Sequence, residues 1–127
     1  MAKTIRHASR NLTIIDGDIV GVVQIRATAN GPQLSFEVRA DTPDRSGALR
    51  SVVATVVYSV CTSDPWNDTS LPAEGERVLV VGATRRRFFR TGAATVSRTE
   101  VEAHTILVGP DRRRAKALRE AVCWAST

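Results

Sequence analysis

The segment at residues 85–90 reads RRRFFR, a dense group of side chains suited to ligand binding. It holds four arginines and two phenylalanines, with no acidic residue among them. Arginines can contact phosphate groups and flat rings can stack on bases, which is what non-specific binding of single-stranded nucleic acid requires. Because side chains alternate between the two faces of a strand, a strand here would present two different sets. These sets are Arg85, Arg87 and Phe89 on one face, and Arg86, Phe88 and Arg90 on the other.

A purely structural interpretation of this segment is also open. Phe88 and Phe89 could both belong to the hydrophobic core, and the arginines could form a solvated edge. Gathering four arginines costs free energy through mutual repulsion. Their presence therefore favours a role in binding an anion.

Four further residues are candidates for the same site. Arg39 precedes a predicted polar loop at residues 41–51, Arg50 lies at its far end, and Arg45 lies in its middle. Such a loop can fold over a ligand, although ordinary solvation explains its charges equally well. Trp66 lies between two loop-like segments, where its ring could stack on a base. Capping the core is the more common role, because tryptophan is mostly buried.

The remaining polar residues fit catalysis or metal binding poorly. Asp16-Gly17-Asp18 is predicted to be a turn rather than a metal site. His7 and His104 have no cysteine nearby that would suggest a catalytic triad. The sequence has no glycine-rich phosphate-binding loop. We therefore expect no enzymatic activity, no metal and no cofactor.

Composition suits a small basic domain. The 127 residues are enough for one domain, and 43% of them are hydrophobic, which suffices for a core. A formal charge of +5 favours an anionic partner. Residues 1–10 do not resemble a secretory signal, and no apolar run approaches the ~18 residues of a membrane helix, so a cytoplasmic protein with no membrane partner is expected. Cys61 and Cys123 are predicted to be reduced, partly buried thiols.

Hydrophobic patterning predicts five strands. The clearest is QLSFEVRA at residues 33–40, in which Leu34, Phe36 and Val38 alternate with polar residues. The other predicted strands are residues 11–28, with a bend or bulge at Gly17 and Gly21, and residues 51–60, 77–89 and 94–108.

Helical signals are fewer. One or two helical turns could begin near Pro65, and a terminal helix is predicted at residues 111–124. The predicted helix has an apolar stripe that could pack on the sheet, made of Ala115, Leu118 and Val122. It also carries a basic cluster, for which a solvated face is favoured over phosphate contacts. The cluster comprises Arg112, Arg113, Arg114, Lys116 and Arg119.

Five strands, with only a short helix between the third and fourth, follow the element order of an oligonucleotide/oligosaccharide-binding (OB) barrel. We therefore predict an all-β fold, a five-stranded OB-fold barrel with a short C-terminal helix. The predicted parts are a flexible basic lead at residues 1–10, the OB-fold domain at 11–109, and a C-terminal helix and tail at 110–127.

From residue 12 to residue 110 the chain resembles bacterial single-stranded DNA-binding proteins. The most similar segment, residues 74–106, has a glycine before the fourth strand, then V-x-V-x-G, an arginine-rich stretch ending in an aromatic residue, a hairpin, and T-E-V on the last strand. The first strand, TIIDGDIV, is similar more weakly. Gly109-Pro110-Asp111 is similar to the segment after the barrel in some actinobacterial paralogues.

This resemblance implies a site and an assembly. It places Phe89 at the family's base-stacking position, and Arg85 and Arg87 at its phosphate-contacting positions. It also implies a homo-oligomer, expected to be a tetramer.

Several features depart from the family, among them a missing aromatic residue in the loop before the third strand and a helix between the third and fourth strands that is shortened and broken by Pro72. Val53 stands near the usual place of a tryptophan, and the last residues, at 124–127, include no acidic tip of the kind that recruits partner proteins. The departures resemble an accessory paralogue or a mobile-element version.

The residues and the resemblance together predict sequence-independent binding of single-stranded DNA in replication, recombination or repair. One alternative is an OB-fold scaffold for protein interactions that has lost nucleic-acid binding. The missing tryptophan favours it, and the RRRFFR segment opposes it. Another is an RNA-binding module, since base stacking tolerates either sugar.

Overall fold

The computed structural model describes residues 9–61, 71–109 and 113–126. Its elements are, in chain order, β1 (Thr13–Thr28), β2 (Gly31–Pro43), β3 (Leu49–Ser59), β4 (Arg77–Thr91), β5 (Ala94–Val108) and α1 (Arg113–Ser126). The strands close into a barrel in the order β1-β2-β3-β5-β4, in which only the β3–β5 pair is parallel. The predicted fold, a five-stranded OB-fold barrel with a short C-terminal helix, is confirmed.

The core forms where apolar side chains alternate toward the inside of the barrel. Leu34, Phe36 and Val38 of β2 are buried, as their spacing predicts. The other strands supply the remaining fully buried members of the core cluster: Ile19, Val56, Val78, Val80, Val101, Ala103 and Ile106. Burying a side chain of this size contributes about 1.5–3 kcal/mol, so the interior holds the strands in one register.

β1 belongs to two strand pairs, and glycine allows the crossing between them. Asp18 pairs with Arg77 on β4 and with Arg39 on β2. At the neighbouring Gly17, a Cβ atom would lie 2.3 Å from the Arg39 carbonyl oxygen, so a side chain would not fit. The prediction of a turn at Asp16-Gly17-Asp18 is therefore wrong. Gly17 instead lies within β1, where the absence of a side chain lets the β2 backbone approach closely.

The bulge predicted in β1 is present. The β1–β2 register shifts between Val20 and Gln24, and Gly21 lies inside the shift with a φ of 75°. Glycine adopts this left-handed conformation at little cost, so it lets the strand bend.

β4 and β5 extend beyond the barrel as a two-stranded hairpin, which we call the arm (residues 85–99). β4 pairs with β1 only as far as Gly82, and β5 pairs with β3 only from Glu100 onward. The side chain of Asn11 ends the β1–β4 ladder, because its Nδ2 donates to the Thr84 carbonyl at 2.6 Å and its Oδ1 accepts from the Thr84 N–H at 3.1 Å. Past this point the two strands pair only with each other. The strand predicted to end at residue 89 thus continues to Thr91.

The hairpin between β2 and β3 is also longer than predicted. A polar loop was expected at residues 41–51, but both strands extend into it and only residues 44–48 form the turn. Hydrogen bonds from Ser46, with a further contribution from Arg50, lower the pKa of Asp44 to about 2. The turn is therefore organised around one carboxylate.

α1 packs on the barrel through a different face from the predicted one. Ala115 and Val122, two of the three expected contact residues, are not buried, whereas Ala121 is buried. Arg114 lies seven residues before Ala121, on the same side of the helix, and its Nη2 donates to Asp16 Oδ1 of β1 at 2.6 Å. The predicted stripe is therefore wrong at Ala115 and Val122, whereas its third member, Leu118, is half-buried.

Several predictions lie outside the described residues. They concern the basic lead apart from residues 9 and 10, the helical turns near Pro65, Trp66, and the first part of the predicted terminal helix at residues 111 and 112.

Cys61 and Cys123 are both exposed rather than partly buried, since the first follows the end of β3 and the second lies on the outward side of α1. Among the described helical residues, no segment has the length and apolar character needed to cross a membrane.

Candidate nucleic-acid interface

The arm divides RRRFFR into two faces, as strand alternation predicts. Residues directly paired across an antiparallel ladder lie on the same face. The outer arm face, as we call it, comprises Arg85, Arg87 and Phe89 with Arg98 and Val96 of the partner strand; Glu100, at the base of the arm, lies opposite Arg85. The inner arm face comprises Arg86, Phe88 and Arg90 with their partners Thr99, Ser97 and Thr95.

Neither phenylalanine of the arm belongs to the core. Phe88 is 64% exposed. Phe89 is half-buried, and the Arg98 guanidinium carbon lies 5.4 Å from the centre of its ring, within the range of a cation–π contact. The interpretation of both rings as core residues is wrong, because the arm projects past the closed barrel and its side chains do not point into the barrel interior.

A groove runs across the outer surface of the barrel, against the outer arm face. Uncharged side chains of β2 and β3 line it: Gln33, Ser35, Thr55 and Val57. The other lining residues are Arg26, Arg87, Phe89, Arg98 and Glu100, and the cavity measures about 350 Å³. Three arginines and one aromatic ring thus surround a space in the size range of small-molecule sites.

The groove continues in two directions. Toward the β1 bulge it joins a cavity of about 400 Å³, with which it shares Arg26 and Arg98. Toward the β1–β2 turn it joins a cavity of about 510 Å³, with which it shares Gln33 and Arg87. The three cavities thus adjoin through shared residues and form one continuous path, which suits an extended chain better than a compact ligand.

Acidic side chains neutralise part of the outer arm face. Glu100 is only 4% exposed and lies 3.2 Å from Arg85 Nη2 and 3.8 Å from Arg87 Nη1. Glu102 lies 2.9 Å from Arg85 Nη1. A buried carboxylate needs such partners, so these pairs hold the two arginines in place. Both guanidinium side chains remain about half exposed, and a phosphate would compete with the carboxylates for them.

The predicted site residues of the β2–β3 region lie apart from this groove. Arg50 Nε donates to Asp44 at 3.0 Å, and Arg39 lies 3.8 Å from Asp41. Arg45 is exposed in the turn. None of these arginines is among the described residues that line the groove. Their contact with a ligand stays a prediction, as do the roles of Arg85, Arg87 and Phe89.

Sequence reasoning missed two arginines of the groove. Arg98 could have been found from the hairpin, because a two-residue turn at Gly92-Ala93 places it opposite Arg87. Arg26 could have been found in the same way, because the β1–β2 hairpin places it opposite Gln33, which also lines the groove. Closure of the barrel then brings both residues next to the arm.

The acidic pair of β1 serves a structural purpose. Asp16 contacts Arg77 at 3.1 Å and Arg114 at 2.6 Å, and Asp18 lies 3.7 Å from Arg77. Burial tends to raise the pKa of Asp16, but Arg114 and Arg77 together outweigh this and lower it below the usual 3.8. In the described part of the chain, no group of three or more His, Cys, Asp or Glu residues could hold a metal ion.

No protein-family model matches the chain, and no curated protein matches its sequence. Solved structures do resemble it. The Plasmodium falciparum SSB in complex with ssDNA superposes with a TM-score of 0.62 at 19% identity, over 82% of this chain and 98% of that one. The small single-stranded DNA-binding protein from Streptomyces coelicolor gives 0.57 at 22%, over 81% and 95%.

A deletion mutant of the single-stranded DNA binding protein from Thermus aquaticus gives a TM-score of 0.60 at 23% identity, over 83% of this chain and 53% of that one. At these identities the likeness establishes the fold. The chain has the closed five-stranded barrel that these single-stranded DNA-binding proteins share, as its sequence resemblance implies.

Proposed function

We propose that the protein binds single-stranded DNA with little sequence preference and shields exposed strands during replication, recombination or repair. The observation that carries this proposal is the groove, in which the ring of Phe89 lies among Arg26, Arg87 and Arg98. Rings that stack on any base and cations that hold any phosphate bind without reading sequence. The similar solved structures, one of them with ssDNA bound, support the same ligand.

The proposed role is stoichiometric binding rather than catalysis. The groove has a cationic wall, an aromatic ring and hydroxyl or amide groups along its floor. These groups suit reversible contacts with phosphates and bases. Phe89 is proposed to stack on a base, and Arg85 and Arg87 to contact phosphates.

We further propose a homo-oligomer, a tetramer, in the cytoplasm. Five large apolar side chains of β1 and β3 are exposed, and assembly could bury part of this surface: Val22, Ile25, Leu49, Val52 and Val53. Several barrels in one assembly would also present several binding sites to one strand, which raises the overall affinity. Light scattering at micromolar concentration checks the assembly, and a monomer alone would contradict it.

A salt titration with three competing nucleic acids tests the ligand. Single-stranded DNA should bind more tightly than duplex, with a slope of log affinity against log salt near −0.7 for each neutralised phosphate. Equal or tighter binding to duplex would overturn the proposal. Tighter binding to single-stranded RNA would instead make RNA the natural ligand.

The scaffold alternative has an observation in its favour. Glu100 and Glu102 neutralise Arg85, and Val53 offers no ring where the family has a tryptophan. A folded protein that binds no single-stranded nucleic acid even at low salt would favour the scaffold.

A further inference from the structure

We infer that the inner arm face is a second contact surface for single-stranded nucleic acid, so that a long strand follows the groove and then passes round the arm. The inference rests on the proposed function and extends its site to residues of the opposite face. Four observations carry it: charge, exposure of the ring, the continuity of the cavities, and the poor fit of the alternative occupant.

The inner arm face carries uncompensated positive charge. Arg86 and Arg90 are exposed, and neither has a carboxylate partner among the described residues. Their cross-strand neighbours carry only hydroxyl groups: Thr95, Ser97 and Thr99. On the outer arm face, by contrast, Glu100 lies within 4 Å of both Arg85 and Arg87. A phosphate that approaches the inner arm face therefore displaces water rather than a protein carboxylate.

The ring on the inner arm face is open to a base. Phe88 is 64% exposed, and no cation lies over it among the described residues. Phe89 already has Arg98 against its ring. An exposed aromatic ring between two arginines combines the stacking and charge that bind single strands.

The path to this face is continuous with the groove. The cavity of about 510 Å³ between the arm and the β1–β2 turn is lined by Arg86 and Phe88 on one side and by Thr28 and Asn30 on the other. It shares Gln33 and Arg87 with the groove. A strand that leaves the groove past Arg87 thus meets the edge of the arm and then its inner face.

A second copy of the chain fits this surface poorly. Two inner arm faces placed together would oppose Arg86 and Arg90 to the same residues of the other copy, and like charges disfavour association. One phenylalanine offers little apolar area in return. Charge complementarity therefore favours a polyanion as the occupant.

Strand length separates the two surfaces experimentally. Thymidine homopolymers of about 8 and about 30 nucleotides are titrated against the wild type, Phe88→Ala, and the double variant Arg86→Gln/Arg90→Gln. We expect the short strand to bind all three proteins within about twofold, because it occupies the groove. On the long strand Phe88→Ala should lose about fivefold or more. The double variant should lose up to about 1.4 from the salt slope, at about 0.7 for each phosphate.

Arg119→Gln on α1 is the matched control for charge, because Arg119 is also exposed and has no carboxylate partner among the described residues. It should leave the long-strand affinity and slope unchanged. A benzophenone amino acid at position 88 should crosslink to the bound long strand, whereas the same amino acid at position 119 should not. Thermal unfolding shows that each variant is folded.

The outcomes distinguish the two proposals. A wild type that binds neither strand overturns the proposed function itself. A wild type that binds both strands, with variants equal to it on the long strand and no crosslink from position 88, overturns only this inference. A Phe88→Ala variant that changes the oligomer but not the affinity also overturns it, because the inner arm face would then join copies of the chain.

Discussion

The two faces of the arm carry the same types of residue but differ in how far their charges are paired and their side chains exposed. Each takes two arginines and one phenylalanine from the six residues of RRRFFR, and only the order of the three differs. The outer arm face lies against the groove, where Glu100 pairs with its arginines and Arg98 covers its ring. On the inner arm face, Arg86, Phe88 and Arg90 are all exposed to solvent.

The difference shows that the residues of β5 opposite the arginines, and not the number of arginines in β4, decide how much positive charge is available to a phosphate. On the outer arm face the side chains are held in position, so less conformational entropy is lost on binding, but the ligand must compete with a carboxylate. On the inner arm face there is no competition, and more side-chain freedom is lost. We therefore expect the outer arm face to dominate binding of short strands.

Removal of the ring in the groove should have the largest effect. Phe89→Ala should weaken binding of a short single strand by about 1–3 kcal/mol, because one stacking platform is lost. The salt slope should stay nearly the same, since no charge changes. Fluorescence anisotropy at several salt concentrations measures both quantities. Phe89 is not a core residue, so the unfolding temperature should change little; unaltered affinity in a folded variant would move the site elsewhere.

Removal of one arginine from each face should weaken short-strand binding less than removal of the Phe89 ring, and by different amounts for the two faces. Arg87→Ala should weaken short-strand binding and flatten the salt slope by about 0.7, because one phosphate contact is lost. Arg86→Ala should change both quantities less on the same short strand. If Arg86 matters more than Arg87 there, our assignment of the two faces is reversed.

Removal of the competing carboxylate should raise the affinity modestly. Glu100→Gln keeps the size of the side chain and removes its charge, which leaves Arg85 and Arg87 more available to phosphate. We expect tighter binding and a steeper salt slope. Glu102→Gln is the control, because Glu102 is exposed and contacts Arg85 alone. An unchanged slope in Glu100→Gln would mean that the ion pairs do not limit the outer arm face.

The smallest effect on binding is expected from an ion pair remote from the arm. Asp16→Asn weakens the contact with Arg114 and Arg77, and the affinity for single strands should not change. Its effect should be on stability, by up to about 1 kcal/mol for a partly exposed pair.

The pH dependence of this variant follows from the lowered pKa of Asp16. The ionised folded form is favoured, so the extra stability of the wild type is fully present above the unfolded pKa near 3.8. It is lost as pH falls through the lower folded pKa. Thermal unfolding of both proteins from pH 7 to pH 2 should show the two curves converging at the acid end; a gap that widens there would contradict the assignment.

The sequence predicts the barrel well because its strands alternate and its turns are marked by glycine. β5 is predicted with its observed bounds, Ala94–Val108, since Gly92 and Gly109 enclose it. Gly17 was misread because its reason is the approach of β2, which no local pattern records. The stripe on α1 is wrong at Ala115 and Val122 for a similar reason, since contacts with the barrel, among them that of Arg114 with Asp16, lie on another side of the helix.

The site is less predictable than the fold. Alternation correctly separates Arg85 from Arg86, but it does not show which face meets a carboxylate. The hairpin register does, because it places Glu100 opposite Arg85. The β1–β2 register likewise places Arg26 opposite Gln33 of the groove, and only the approach of both to the arm depends on barrel closure.

The two hydrogen bonds between Asn11 and Thr84 fix the base of the arm, whereas its end at the Gly92 turn has no such contact with β1. Two strands without a third are only marginally stable in water, so the tip should open locally at a far lower free energy than the barrel unfolds. Amide hydrogens near Gly92 should therefore exchange with solvent quickly in the free protein, and those of Val78 and Val80 slowly. A strand bound to both faces would hold the hairpin closed, and slowed exchange along the arm would then record how far round it the ligand extends.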